Sequence, residues 1–305
     1  MDKKQILLIN DMAGYGKVAT AAMLPILSYF GLPTYNLPTA LVSNTLDYGK
    51  FNILDTTEYI KGVFPVWKQL GFHFDAIATG FIVSEQQADI VANYCKEQHT
   101  NGTTIYVDPI MGDEGKLYNG VTPNTINRMK EMLTVADLCY PNFTEACYLT
   151  GTAYQAGGVD KDEARQLIDG LRQIGSKSVL ITSIPVDGQP SVVGYNAADD
   201  HYFQLCYNEI PVHFPGTGDI FSAILIGHLL NGEGLKEATR KAMDGVYTLI
   251  DLNKDNTDKN RGIPLEQFLR AAAQEAEMTM GLAAPQKHPV FANYWNIPHF
   301  RPLIS

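Results

Sequence analysis

Short apolar runs alternate with longer amphipathic stretches along most of this chain, and that rhythm leaves few folds open. QILLIN, PTYNLPTA, DAIAT, TTIYVD, ADLCY and SVLITS read as strands, with helical patterns near 18–30, 55–69, 84–98, 123–133 and 160–174 between them. Strands apolar on both faces and separated by helices imply right-handed crossovers and a covered, mostly parallel sheet. The rhythm changes after 178–183: SVVGYNA and HYFQLCY flank a polar turn, which predicts an antiparallel edge hairpin. FPGTGDIFSAILIGHLLNG then starts a helix from a glycine turn, and another runs through about 235–251. A last helix follows Pro264, where proline suits a first turn. The expectation is a single α/β domain over 1–280, with a mostly parallel central sheet and helices on both faces. Residues 281–305, with four prolines and several aromatics, read as an irregular tail packed on the body or on a neighbouring subunit.

Composition removes some partners. A net charge of −10 without a basic block argues against nucleic-acid or anionic-membrane binding, which needs concentrated Lys and Arg. Cys95, Cys139, Cys147 and Cys206 form no C-x-x-C, and the seven histidines form no metal motif. Reduced cysteines and no signal or membrane-length run lead to the expectation of a cytoplasmic protein.

The first loop holds Gly14-Tyr15-Gly16-Lys17-Val18-Ala19, a G-x-G-x-x-A. A dinucleotide turn wants its glycines directly after the strand and an acidic residue about 20 positions on. Here Asp11-Met12-Ala13 intervene and PTYNLPTA carries no carboxylate. A phosphate loop of the G-x-x-x-x-G-K-[ST] type would need glycine at Asp11 and a hydroxyl at Val18. Both nucleotide readings are weak, so these glycines signal only a close approach to the backbone.

The stronger signal is Pro215-Gly216-Thr217-Gly218-Asp219, which enters an apolar helix. Glycines let consecutive N–H groups converge, and a helix start adds about half a positive charge, a fit for phosphoryl oxygens. Asp219 is then placed to take a proton from an attacking hydroxyl. The same stretch is also good helix-capping chemistry. VDPIMGDEGKLY puts Asp108 at a strand end before a glycine-rich loop expected to be mobile, from which Lys116 reaches either a phosphate or solvent. YPNFTEACYLTG puts Asn142 and Glu145 at the start of the next helix. Ligands of open parallel sheets bind at the strands' carboxyl ends, so these groups are candidates to converge, and paired carboxylates suit a hydrated Mg²⁺.

With GTGD, DPIMG, PNFTEACYLTG, YGK and SNTLDYGKF in this order, the chain resembles the pyridoxal kinase branch of the ribokinase superfamily over roughly residues 5–275. The resemblance implies a ribokinase-like domain, a homodimer, and ATP-dependent phosphorylation of the 5′-hydroxymethyl group of a B6 vitamer (pyridoxal, pyridoxine or pyridoxamine). It implies Asp219 as catalytic base and the N–H groups of Gly216, Thr217 and Gly218 as anion hole. Asp108 and Glu145 fall in the Mg²⁺ region, which often takes a monovalent cation such as K⁺ as well. Asn142, Glu145, Thr182 and Ser183, the last two as a strand-end pair, match nucleotide-contacting positions. Asp11, Thr39, Asn44 and Phe81 match the substrate side, with Tyr48 nearby, while Ser43 and Asn44 are alternatively loop-holding residues.

Three departures bear on the substrate. Asp11 stands where serine is common, Phe81 where tyrosine is common, and Leu41 where glutamine is frequent. A carboxylate at 11 would favour a protonated ring or an aminomethyl cation. The rival kinase reading is a hydroxymethylpyrimidine kinase, or a sugar or nucleoside kinase. A non-catalytic sensor of nucleotide or vitamer and an interaction scaffold are the rivals from other classes.

Overall fold

The computed structural model describes residues 3–118, 121–266 and 269. Each apolar run expected to be a strand is one: β1 (Ile6–Ala13), β2 (Thr34–Val42), β4 (Ala76–Thr79), β5 (Thr104–Val107), β8 (Leu138–Cys139) and β9 (Ser178–Val186). The late hairpin is β10 (Gln189–Asn196) and β11 (His201–Cys206). Three short strands were not expected: β3 (Ile53–Asp55), β6 (Gly112–Asp113) and β7 (Lys116–Leu117). The helices are α1 (Ala19–Tyr29), α2 (Thr57–Leu70), α3 (Glu85–Thr100), α4 (Pro123–Leu133), α5 (Phe143–Thr150), α6 (Lys161–Ile174), α7 (Thr217–Leu230) and α8 (Leu235–Asn253).

The main sheet has nine strands in the order β11-β10-β9-β8-β5-β4-β1-β2-β3. Its interior pairs are parallel, and both margins are antiparallel, β9–β10–β11 on one side and β2–β3 on the other. Side-chain alternation along β1 feeds two layers. Leu7 and Ile9 join a core built with α2 through α6, whereas Ile6 and Leu8 point the other way and are equally buried. That second layer holds α1, α7 and α8, which pack on one another. From β1 the chain passes first to β2 and only later to β4 on its other side, so strand order reverses at β1/β4. The carboxyl ends there form the crevice in which open α/β sheets hold ligands.

The loop at 112–118 is a paired hairpin, β6 with β7. Glu114 and Gly115 take φ of 50° and 77°, the left-handed pair that a tight two-residue turn demands. It is anchored to α5, because Gly115 N–H donates to Thr144 Oγ1 at 2.8 Å. Contact density divides the chain into Met1–Ile263 and Pro264–Ser305. Most of the helix expected after Pro264, and the expected tail at 281–305, lie outside the described residues.

Candidate active site

Asp219 occupies the first turn of α7 and does not cap that helix. Its Oδ2 accepts from Ala19 N–H at 2.7 Å, and its Oδ1 from Asn10 Nδ2 at 3.4 Å. GTGD does supply the helix start, with Gly216 at the N-cap in the left-handed region and Asp219 in the first turn, but no side chain caps α7. By contrast α4, α5 and α6 each carry a complete capping box. An uncapped first turn leaves N–H groups without an intrahelical acceptor, aimed outward beside a carboxylate. Gly216 is fixed there by its surroundings, since φ is +84° and an added Cβ would come 2.4 Å from the Lys17 carbonyl oxygen. At Gly218 an added Cβ would meet open space.

The carboxylates gather as expected, and they act on one another. Burial pushes the Asp219 carboxyl up to about 6, opposed by the donors from Ala19 and Asn10. Asp11 rises to about 7, mainly from burial and then from the Asp219 charge. Asp108 stands well above the usual carboxylate range, from burial and then from the charges of Glu145 and Asp219. Burial also takes Glu145 to about 7, although backbone donors hold it down. The charges of Glu145 and Asp219 on Asp108, and of Asp219 on Asp11, suit a site that a bound cation would complete.

The remaining expected residues divide by what their side chains already do. Asn142 and Glu145 form the capping box of α5. Glu145 accepts from Met111 N–H and Asn142 N–H, both at 2.9 Å, so it ties the DPIMG segment to α5. Asn142 Nδ2 donates to the Gly112 carbonyl at 2.8 Å. Thr182 and Ser183 are not at a strand end but inside β9. They form a bulge opposite β10, with Ser183 at φ 53°, just beyond the last parallel pairing with β8. The Asn44 side chain bonds within its own loop, accepting from Ser43 Oγ and donating to the Thr45 and Lys50 carbonyls, as the loop-holding alternative has it. Tyr48 donates to Asp258 at 2.7 Å and so ties that loop to residues 258–262. Thr39 is buried, and its hydroxyl donates to the Phe81 carbonyl at 2.7 Å. Lys116 lies exposed on the hairpin.

Two residues of this site escaped the sequence reading. Asn10 is 2 % exposed at the end of an otherwise apolar run, and a polar residue closing such a run was the available signal. Ala19 takes φ 50°, uncommon for a side-chain-bearing residue, while its N–H serves Asp219. The sequence marked it only as the close of the G-x-G-x-x-A pattern, with no sign of its part in holding Asp219.

Residues 38–264 match the phosphomethylpyrimidine kinase family model. The chain belongs to that family. A family protein of Bacteroides thetaiotaomicron, crystallised in one form with pyridoxal, is 33% identical in its other form, where the match covers 90% of this chain and 95% of that one at a TM-score of 0.85. The pyridoxal kinase of Lactobacillus plantarum is 26% identical, covering 90% and 98%, with a TM-score of 0.81. A pyridoxal kinase of Rubrobacter xylanophilus is 26% identical over 302 residues, 93% of this chain and 96% of its own. The kinship expected from the ordered motifs is thus borne out, and with it the ribokinase-like fold. Among the described residues of this family member, no helix is long and apolar enough to cross a membrane.

Proposed function

We propose that this chain transfers the γ-phosphoryl group of ATP to the hydroxymethyl group of a B6 vitamer. The observation that carries the chemistry is Asp219, held by Ala19 and Asn10 beside the uncapped start of α7 rather than spent as its cap. The N–H groups of Gly216, Thr217 and Gly218 receive the phosphoryl oxygens, and Asp219 orients the alcohol and takes its proton. A carboxylate at about 6 is ionised at neutral pH yet basic enough to accept late in a loose transition state. The relatives supply the acceptor class: a family protein 32% identical to this chain was crystallised with pyridoxal, and relatives across 80% or more of their length are pyridoxal kinases.

Mg²⁺ fits the donor set as a phosphate-bound, hydrated ion. Among the described residues no three acidic, histidine or cysteine side chains gather tightly enough to hold a bare ion. Asp108 would take the ion's water shell, and Glu145, whose oxygens already accept backbone N–H groups, would contribute charge. When bound, the ion neutralises charge on the transferring group. A monovalent cation in the same region and a homodimer belong to the same proposal.

The family's own description favours one second reading, a hydroxymethylpyrimidine acceptor. The test is ADP release with Mg-ATP across pyridoxal, pyridoxine, pyridoxamine, hydroxymethylpyrimidine and ribose, with Asp219→Asn as control. Turnover on a vitamer that collapses in the variant is the expected result. Turnover on the pyrimidine alone would overturn the substrate, and silence on every acceptor would overturn the kinase.

A further inference from the structure

Asn10 is buried within β1, one residue past the last pairing with β4, and all four hydrogen-bonding capacities of its amide are in use. Its Oδ1 accepts from the Asp11 N–H at 2.9 Å and the Phe81 N–H at 2.8 Å. Its Nδ2 donates to Asp219 Oδ1 at 3.4 Å and approaches Met23 Sδ at 3.7 Å. This pattern fixes the amide's orientation. Two backbone donors require the oxygen on their side, so the NH₂ group has to face Asp219. The pocket is cut to the side chain as well, since a Cβ on Gly80 would sit 2.5 Å from the Asn10 amide.

The partners lie on different parts of the site. Phe81 follows β4, and its peptide is held from both sides, by Asn10 at its N–H and by Thr39 at its carbonyl. Asp11 neighbours Asn10 on β1, and Asp219 starts α7. One side chain therefore registers the carboxylate of the base against the wall at Phe81.

We propose that Asn10 is a positioning residue that sets the Asp219 carboxylate relative to the acceptor-side wall. This rests on Asp219 acting as the base. Each Asp219 oxygen receives one donor, and the lone pairs left over point where the amide and the Ala19 N–H permit. The alcohol then meets a carboxylate with one orientation instead of a rotating one. Losing that constraint misplaces the reacting atoms, an error that costs about 100-fold in rate for about 1 Å.

The test is a double-mutant cycle on kcat with whichever acceptor the wild type turns over best. Asn10→Asp keeps an oxygen for the Asp11 and Phe81 N–H groups and removes the amide donor. Asn10→Ser is the second variant should the added carboxyl unfold the protein, with melting temperature checked for both. In the wild-type background kcat is expected to fall about 100-fold, with KM for ATP changed less than about threefold. In an Asp219→Asn background the same substitution is expected to change the residual rate less than about twofold, because the group it positions is gone. Equal losses in both backgrounds, or none in either, would overturn the proposal by making Asn10 a packing residue. Wild-type turnover across the acceptors is read separately, so a wrong acceptor and a wrong role for Asn10 give different results.

Discussion

Two Gly-x-Gly loops lie against each other in this protein, and their peptide N–H groups meet opposite fates. In the first, Gly14 N–H donates to Val42 O at 2.7 Å, Tyr15 N–H to Ser43 O at 3.0 Å, and Lys17 N–H to Arg261 O at 2.8 Å. Every one of these donors is used inside the protein. In the second, Gly216 bends the chain into α7, and the first intrahelical bond there is the one from Ile220 N–H to Gly216 O, so the preceding N–H groups have no acceptor within the helix, as the proposed anion hole requires. The loops touch, because the Lys17 carbonyl is what an added Cβ on Gly216 would strike. The first loop is the floor on which the second is built. Glycine spacing reports that something approaches the backbone; at the first loop the acceptors nearby show that it is protein.

The largest effect expected from breaking this division is at Asp219. Asp219→Asn should lower kcat by about 10²–10⁴-fold with a small loss of melting temperature, since the amide keeps one oxygen for the Ala19 N–H and turns a donor toward the Asn10 amide. The wild-type kcat should rise with pH through about 6 and level off above it, as the base ionises. A flat profile between pH 5 and 7 would remove Asp219 from the proton's path.

Gly216→Ala should come next, because it damages floor and cradle together. The left-handed backbone costs about 1–2 kcal/mol with a side chain, and the 2.4 Å approach to Lys17 O adds to that. Loss of melting temperature and of ATP turnover is expected together.

Gly16→Ala and Gly218→Ala separate the two jobs. At Gly16, φ is +122° and an added Cβ would meet Thr45 Cγ2 at 2.3 Å, so stability should fall by about 1–3 kcal/mol with KM for ATP unchanged. At Gly218 the space is open, so the fold should hold while KM for ATP rises about tenfold, as a methyl group crowds the phosphate. The reverse pattern would exchange the roles of the loops.

The smallest effect is a linkage. Asp11, Asp108 and Glu145 bind protons more tightly folded than unfolded. The folded state therefore holds more protons between about pH 4 and 7, and this cluster's contribution to stability falls as pH rises through that window. Asp108→Asn should flatten that slope in the ligand-free protein and raise the melting temperature at pH 8 relative to wild type. The Mg-ADP shift in melting temperature should shrink in the same variant.

The alternation of apolar runs and amphipathic stretches dictated the interior of the sheet, because strands covered on both faces are apolar along their whole length. The antiparallel margins were half legible. The Asp187-Gly188 turn joins β9 to β10 with φ of 50° and 76°, and β10–β11 was visible as an alternating pair. β3 pairs through only three residues and carries no pattern of its own. The 112–118 hairpin was hidden for a related reason, as its glycines read as freedom when they serve tight packing: a Cβ on Gly112 would lie 2.3 Å from Lys116 O.

By itself the sequence determined the fold class, the positions of the long elements and the short list of carboxylates and glycines able to handle phosphate. Those follow from local rules of periodicity, turn preference and charge type. Only the tertiary structure decided that the first glycine loop turns its N–H groups onto protein carbonyls, that Asp219 turns from its own helix toward Ala19 and Asn10, and that Thr182-Ser183 is a bulge. Each depends on a partner far away in the chain, such as Asn10 for Asp219 or Arg261 for Lys17. A hydrogen bond has direction and reach but no sequence spacing, so it is settled only when the crossovers have brought both ends together.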